Sequence, residues 1–172
     1  MYVRNCPRIW LAAGTIAGLC IVSGAQAQET ASLHPIPAAE CQQFAGQIQG
    51  AIGFATKASE DDFSDLIDGA EGRSCHIAGS AANQSYGAPG ELMAKVAAVF
   101  SAWREDPARS ADGPGGTEKG FVNGSRIATV EISWEPGPGA NCSDTAPLSA
   151  CNITPQQKMW NVIVDIVEKT GK

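Results

Sequence analysis

Basic residues are scarce in this sequence of 172 residues. It has 12 Lys and Arg against 18 Asp and Glu, which gives a formal net charge of −6. Binding of nucleic acid depends on clustered basic side chains that neutralise phosphates. The composition therefore excludes nucleic acid as a natural partner, and it disfavours anionic membrane surfaces for the same reason.

Histidine and paired cysteine motifs are also scarce. The only histidines are His34 and His76, and none of the six cysteines belongs to a C-x-x-C pair of the kind that binds zinc. No G-x-S-x-G motif, which marks a nucleophilic serine in many hydrolases, occurs in the chain. The sequence consequently predicts no catalytic residue, no bound metal and no cofactor.

No apolar run reaches the ~20 residues that a membrane-spanning helix requires. The run Ile9–Val22 follows Arg4 and Arg8 and precedes Ala25-Gln26-Ala27, which is the pattern of a secretory signal peptide. We expect cleavage after Ala27; the alternatives are retention as an N-terminal tether and lipid attachment at Cys20. Residues 1–27 are thus predicted to be a signal peptide, 28–37 a flexible leader and 38–172 a single globular domain without a membrane span.

Four cysteines remain after the predicted cleavage, namely Cys41, Cys75, Cys142 and Cys151. An even number of cysteines in an exported chain indicates disulfides. Three connectivities are possible, and we favour Cys41 with Cys75 and Cys142 with Cys151. The mature chain carries 10 basic and 18 acidic residues, a net charge of −8.

The glycine-rich stretch Asp112–Gly120 does not match a phosphate-binding loop. A P-loop needs lysine directly after its last glycine, whereas Lys119 precedes Gly120. Asn123-Gly124 follows between two strand-like runs and is a strong signal for a two-residue hairpin turn. The stretch is therefore predicted to be a connecting loop that leads into the first strand of a hairpin.

The acidic run from Glu60 to Glu71 lacks the ligand spacing of an EF-hand loop and is interpreted as a solvated turn.

Hydrophobic periodicity predicts an α+β fold. Helices are expected from Ala38 to about Phe54 and from Pro89 to about Asp106, with a short helical turn near Ser59–Asp68. Strands are expected at Arg73–Ala81, before and after Asn123-Gly124, and over residues 158–168, where helix is the alternative. The prediction is a mainly antiparallel sheet of about four strands, two helices on one face and two disulfides.

The face of this sheet that carries no helix is the predicted functional surface. Alternation places His76, Glu131 and Asp165 on it, where they can form a small metal site or an acid–base cluster. Apolar side chains share the same face and require a cover, which is either a ligand or partner or the loop from Glu135 to Cys151 folded back over it. The candidate binding face comprises His76, Ile127, Thr129, Glu131, Met159, Ile163, Asp165 and Val167.

A run of motifs in the second half of the chain resembles a set of uncharacterised bacterial secreted or lipid-anchored domains. The motifs are Trp103-Arg-Glu-Asp-Pro107, Ala111-Asp-Gly-Pro-Gly-Gly-Thr117, Gly120-Phe121, Trp134-Glu-Pro136, and Cys142 with Asp144, Pro147, Cys151 and Ile153-Thr-Pro155. The resemblance implies one disulfide-bonded exported domain, and it implies no activity. An extra cysteine pair that is frequent in those domains is absent from this sequence.

The sequence as a whole predicts a periplasmic or secreted, non-enzymatic domain. It is expected to bind a partner protein or envelope component through the helix-free sheet face. The alternatives are a small hydrolase or metal-dependent enzyme centred on His76, and a structural homodimer that buries the same face; the sequence leaves the oligomeric state open.

Overall fold

Two α-helices and seven β-strands make up the part of the chain that the computed structural model describes, which is residues 31–82, 84–142, 147 and 150–171. The predicted signal peptide, residues 1–27, lies outside the described residues. In chain order the elements are β1 (Ser32–Pro35), α1 (Ala38–Ile52), β2 (Lys57–Asp65), β3 (Ala70–Ala81), α2 (Pro89–Val99), β4 (Arg104–Gly113), β5 (Gly116–Asn123), β6 (Arg126–Pro136) and β7 (Lys158–Thr170).

The strands form one mixed sheet in the order β2-β3-β1-β7-β6-β5-β4. The short strand β1 lies parallel to β3 and antiparallel to β7, between the ends of those two longer strands. Beyond β1, the strands β3 and β7 pair directly with each other from Cys75 and Ile166 to Ala81 and Trp160. The α+β class is confirmed, but the prediction of a mainly antiparallel sheet of about four strands is wrong.

The strands missing from the prediction are β1, β2 and β4. Ser32–Pro35, which the sequence pattern assigns to the flexible leader, form β1 instead. Most residues of β2 and β4 are exposed at the two edges of the sheet, so neither strand shows apolar alternation. The short helical turn predicted near Ser59–Asp68 is wrong, because these residues form β2 and the turn after it. Helix α2 ends at Val99 and not near Asp106.

Both helices begin where the sequence pattern predicts. Helix α1 follows Pro37, buries Cys41, Ala45, Ile48 and Ile52, and ends at Gly53, which has a left-handed φ of 79°. Helix α2 has Pro89 in its first turn, where the missing N–H of proline costs no hydrogen bond. The predicted hairpin turn is confirmed, because Asn123 ends β5 and Gly124 has a φ of 63°. The prediction of a connecting loop at Asp112–Gly120 is wrong, because most of this stretch belongs to β4 and β5. The β-branched run near the C-terminus forms β7.

The main hydrophobic core lies between the two helices and one face of the sheet. Trp160, Phe100, Ile77 and Ile132 are among its largest fully buried side chains. The disulfide between Cys41 and Cys75 joins α1 to β3 inside this core, and a second disulfide joins Cys142 to Cys151. Both predicted disulfides are therefore confirmed. Within the described residues, no helix is long and apolar enough to cross a membrane.

Candidate functional site

The candidate site lies on the helix-free face, the side of the sheet opposite α1 and α2. Strand register brings the predicted residues into adjacent rows: His76 is opposite Asp165, and Asp165 is opposite Thr129. In the next row, Ile163 is opposite Glu131. Side chains directly opposite each other on one face are near neighbours, so the alternation in the sequence correctly indicated which residues share this surface.

Two residues of the candidate binding face are unavailable to a partner. Ile127 and Val167 are buried in a second apolar cluster with Leu33 and Ala70, and the cluster is flanked by Phe63. Strand β1 and the end of the β2–β3 hairpin supply the covering side chains. His76, Thr129, Met159, Ile163 and Asp165 remain partly accessible, and Glu131 is exposed. The helix-free face is thus closed at one end and open at the other.

Arg109 lies on β4, at one edge of the sheet. At the closed end of the helix-free face it forms ion pairs with aspartates at and after the end of β2, the opposite edge strand. Arg109 lies where the register of β4 shifts between Asp106 and Ala111, and only 9% of its side chain is exposed. Its Nη2 donates to Asp65 Oδ2 at 2.5 Å and to Asp68 Oδ2 at 3.2 Å, and its Nη1 donates to Asp106. We call Arg109 with these three aspartates the Arg109 clasp.

Two members of the clasp, Arg109 and Asp68, have shifted pKa values. Desolvation of Arg109 opposes its positive charge, but hydrogen bonds and charge attraction from Asp65 and Asp106 outweigh that effect and raise its pKa. The hydrogen bond from Lys169 Nζ, at 2.7 Å, lowers the pKa of Asp68. Both shifts favour the charged forms of Arg109 and Asp68. A Cβ atom at Gly120 would lie 2.3 Å from Arg109 Cβ, so glycine is required beneath the arginine.

A cleft of about 210 Å³ lies beside the clasp. Its walls are the end of β2 with the following turn and the irregular part of β4, while Glu118 and Thr129 contribute from the sheet. At the turn, Leu66 is 91% exposed and Ile67 is 52% exposed. The sequence pattern predicts a helical turn here, whereas the turn that follows β2 directs both side chains to solvent. The cleft therefore combines polar groups with a protruding apolar rim.

A hydrogen-bonded network lies at the centre of the helix-free face. His76 Nδ1 is 2.9 Å from Asp165 Oδ1, and Ser74 Oγ donates to the same oxygen at 2.6 Å. Glu131 is not hydrogen-bonded to this pair, and in the described part of the chain no group of three or more His, Cys, Asp or Glu side chains is arranged to hold a metal ion. The structure thus brings His76 and Asp165 of the predicted acid–base cluster into contact, whereas Glu131 is not part of the pair.

Glu118 and Glu131 lie opposite each other on β5 and β6. Burial raises the pKa of Glu118, and the charge of Glu131 raises it further. A carboxyl group with a raised folded-state pKa binds its proton more tightly in the folded chain than in the unfolded chain. Its contribution to stability is therefore greatest below its ordinary pKa and is lost as the pH rises through the raised value.

We expect the Glu118→Gln variant to be more stable than the wild type at pH 7, because the variant carries no buried charge facing Glu131. The gain should shrink as the pH falls below the ordinary glutamate pKa. Urea unfolding at several pH values measures this difference. Glu135→Gln, at an exposed glutamate near the end of β6, is the control and should show no such trend. A Glu118→Gln protein that is equally or less stable at pH 7 would contradict the assignment.

Comparisons of the chain with protein-family models, with curated proteins and with solved structures give no match. The candidate site is therefore defined by its geometry.

Proposed function

We propose that the protein is an exported domain, periplasmic or secreted, which binds a partner protein or envelope component through the helix-free face. The observation that carries this proposal is the exposed pair Leu66 and Ile67 at the rim of the cleft. Large apolar side chains clustered on a surface and bordered by polar groups are typical of binding sites. The two disulfides support export, because disulfides persist mainly in oxidising compartments.

The arrangement of the cleft suits recognition. The apolar rim supplies contact area, and Glu118 and Thr129 supply hydrogen-bonding groups that orient a partner. The Arg109 clasp holds the rim in place, so little conformational freedom is lost on binding. The partly accessible residues Ile163 and Met159 extend the same face beyond the cleft.

We expect Leu66→Asp to weaken partner binding at least tenfold while the fold is retained, because this exposed side chain makes its main contribution as an apolar anchor. Immobilised wild-type protein would be used to isolate a partner from envelope extracts of the producing cell. The affinity of that purified partner would then be measured calorimetrically. Gln43→Asp, which adds the same charge at an exposed position on α1, is the matched control.

Three results decide this proposal. Loss of binding in Leu66→Asp with unchanged binding in Gln43→Asp supports it. Equal binding by both variants, or the absence of any partner retained specifically by the wild type, contradicts it. A self-complex that sediments as a dimer and is disrupted by Leu66→Asp would assign the face to the structural homodimer instead.

A further inference from the structure

Three chemically distinct side chains lie in one row across the helix-free face. Ser59 of β2 is opposite His76 of β3, and His76 is opposite Asp165 of β7. Directly opposed residues on one face of an antiparallel sheet have Cβ atoms about 4.5–5.5 Å apart. Strand register therefore places a serine, a histidine and an aspartate side by side in that order.

The aspartate holds the histidine through its Nδ1 atom. His76 Nδ1 lies 2.9 Å from Asp165 Oδ1, and Ser74 Oγ fixes that carboxylate from β3 with a 2.6 Å hydrogen bond. When a carboxylate accepts a hydrogen bond from Nδ1–H of a neutral histidine, the lone pair remains on Nε2. Within the described residues, His76 Nε2 has no hydrogen-bond partner. It is thus available as a general base.

The serine is accessible on the opposite side of the histidine. Ser59 is exposed and makes no side-chain hydrogen bond within the described part of the chain. A serine hydroxyl rotates freely between its staggered rotamers, and hydrogen bonds between nucleophile and base are often long before substrate binds. Strand β2 is also an edge strand, whose alternate backbone N–H groups face solvent and can stabilise an oxyanion.

We propose that Ser59, His76 and Asp165 form a nucleophilic site that hydrolyses small activated esters. Ser59 Oγ attacks the ester carbonyl carbon as its proton passes to His76 Nε2, and Asp165 stabilises the resulting imidazolium. The C–O bond to the leaving group then breaks, and the leaving alcohol takes the proton from His76. Water attacks the acyl-Ser59 ester through the same base, which releases a carboxylic acid and restores the Ser59 hydroxyl.

The surroundings indicate the class of substrate. Ser59 is exposed on an edge strand, while His76 and Asp165 are 20% and 16% exposed, so the nucleophile has little apolar enclosure for a long acyl chain. Short acyl esters with a good leaving group fit this setting. The proposal goes beyond the binding function proposed above and rests on different residues, since Leu66 and Ile67 have no part in it.

The first test is reaction of the mature, disulfide-bonded protein with a fluorophosphonate probe. Attack by Ser59 would form an Oγ–P bond and release fluoride, with the serine proton passing to His76. We expect one adduct, located on Ser59 by peptide mass mapping, and none in Ser59→Ala. Hydrolysis of p-nitrophenyl acetate should follow the same dependence on Ser59.

Variants of the base provide the second test. His76→Gln should slow labelling of Ser59 at least 100-fold, and Asp165→Asn should slow it by a smaller factor and alter its pH profile. Ser80→Ala is the matched control, because Ser80 is an exposed serine of β3 that bonds to Asn161. Circular dichroism and thermal unfolding establish whether each variant is folded. If Asp165→Asn does not fold, the rate of Ser59 labelling in His76→Gln alone tests the proposal.

Several outcomes would overturn the proposal. These are the absence of an adduct, an adduct on another residue, and Ser59 labelling at the wild-type rate in His76→Gln. Loss of partner binding in Leu66→Asp has no bearing on the labelling rate of Ser59, so the failure of one proposal is distinguishable from the failure of the other.

Discussion

Replacing Arg109 with methionine is expected to lower the free energy of unfolding by about 3–5 kcal/mol. Arg109 is 9% exposed and Asp65 is 4% exposed, so the substitution leaves a buried carboxylate without its cation. It also removes the hydrogen bonds that join β4 to the β2–β3 turn. Chemical denaturation at pH 7 measures the loss, and the cleft should become more mobile in the same variant.

The expected loss of stability is specific to a buried ion pair, so an exposed ion pair serves as the control. Arg73→Met should cost no more than about 1 kcal/mol, because Arg73 is 51% exposed and pairs with exposed Asp62 and Glu60. Adding Asp65→Asn to Arg109→Met should restore part of the stability, since it removes the unpaired buried charge. Equal losses in Arg109→Met and Arg73→Met would show that the clasp does not stabilise the fold.

Removing the disulfide between Cys41 and Cys75, through Cys41→Ala with Cys75→Ala, is expected to lower the free energy of unfolding by about 4 kcal/mol. The bond joins residues 34 positions apart, and it therefore restricts the unfolded chain strongly. It also holds α1 against β3 inside the core. Equilibrium unfolding of the oxidised wild type and the double variant measures the difference.

The second disulfide is the natural comparison. Cys142 and Cys151 are only nine positions apart, and the chain-entropy estimate for their bond is about 3 kcal/mol. The Cys142→Ala, Cys151→Ala variant should consequently be more stable than the Cys41→Ala, Cys75→Ala variant. The reverse order would indicate that loop entropy does not dominate the contribution of these bonds.

Elements with strong local signals were predictable from the sequence. Pro37 and the apolar spacing from Cys41 to Ile52 define α1, and Asn123-Gly124 defines the hairpin turn. The alternation of Val162, Val164 and Ile166 on β7 distinguishes strand from helix, because these residues are buried on one face of the sheet. The same alternation placed His76 and Asp165 on a common face.

Features that depend on distant partners were not predictable. Strand β1 is four residues long and is defined by its pairing with β3 and β7 rather than by its own pattern. The Arg109 clasp joins residues more than forty positions apart through a shift in the register of β4. No periodicity in the sequence reports such a contact. The packing of the β2–β3 hairpin against Ile127 and Val167 could not be predicted from the sequence for the same reason.

The position of β7 has a consequence for the order in which the chain can fold. This strand follows the other six described strands in chain order, yet it lies in the middle of the sheet and pairs with β1, β3 and β6. Before it is complete, β1–β3 and β4–β6 are two separate sets of strands whose inner edges have no partner. Unpaired edges of this kind promote aggregation, and pairings between distant segments form slowly. A nascent chain of this protein therefore stays vulnerable until β7 has been synthesised, and deletion of β7 should divide the sheet into two parts.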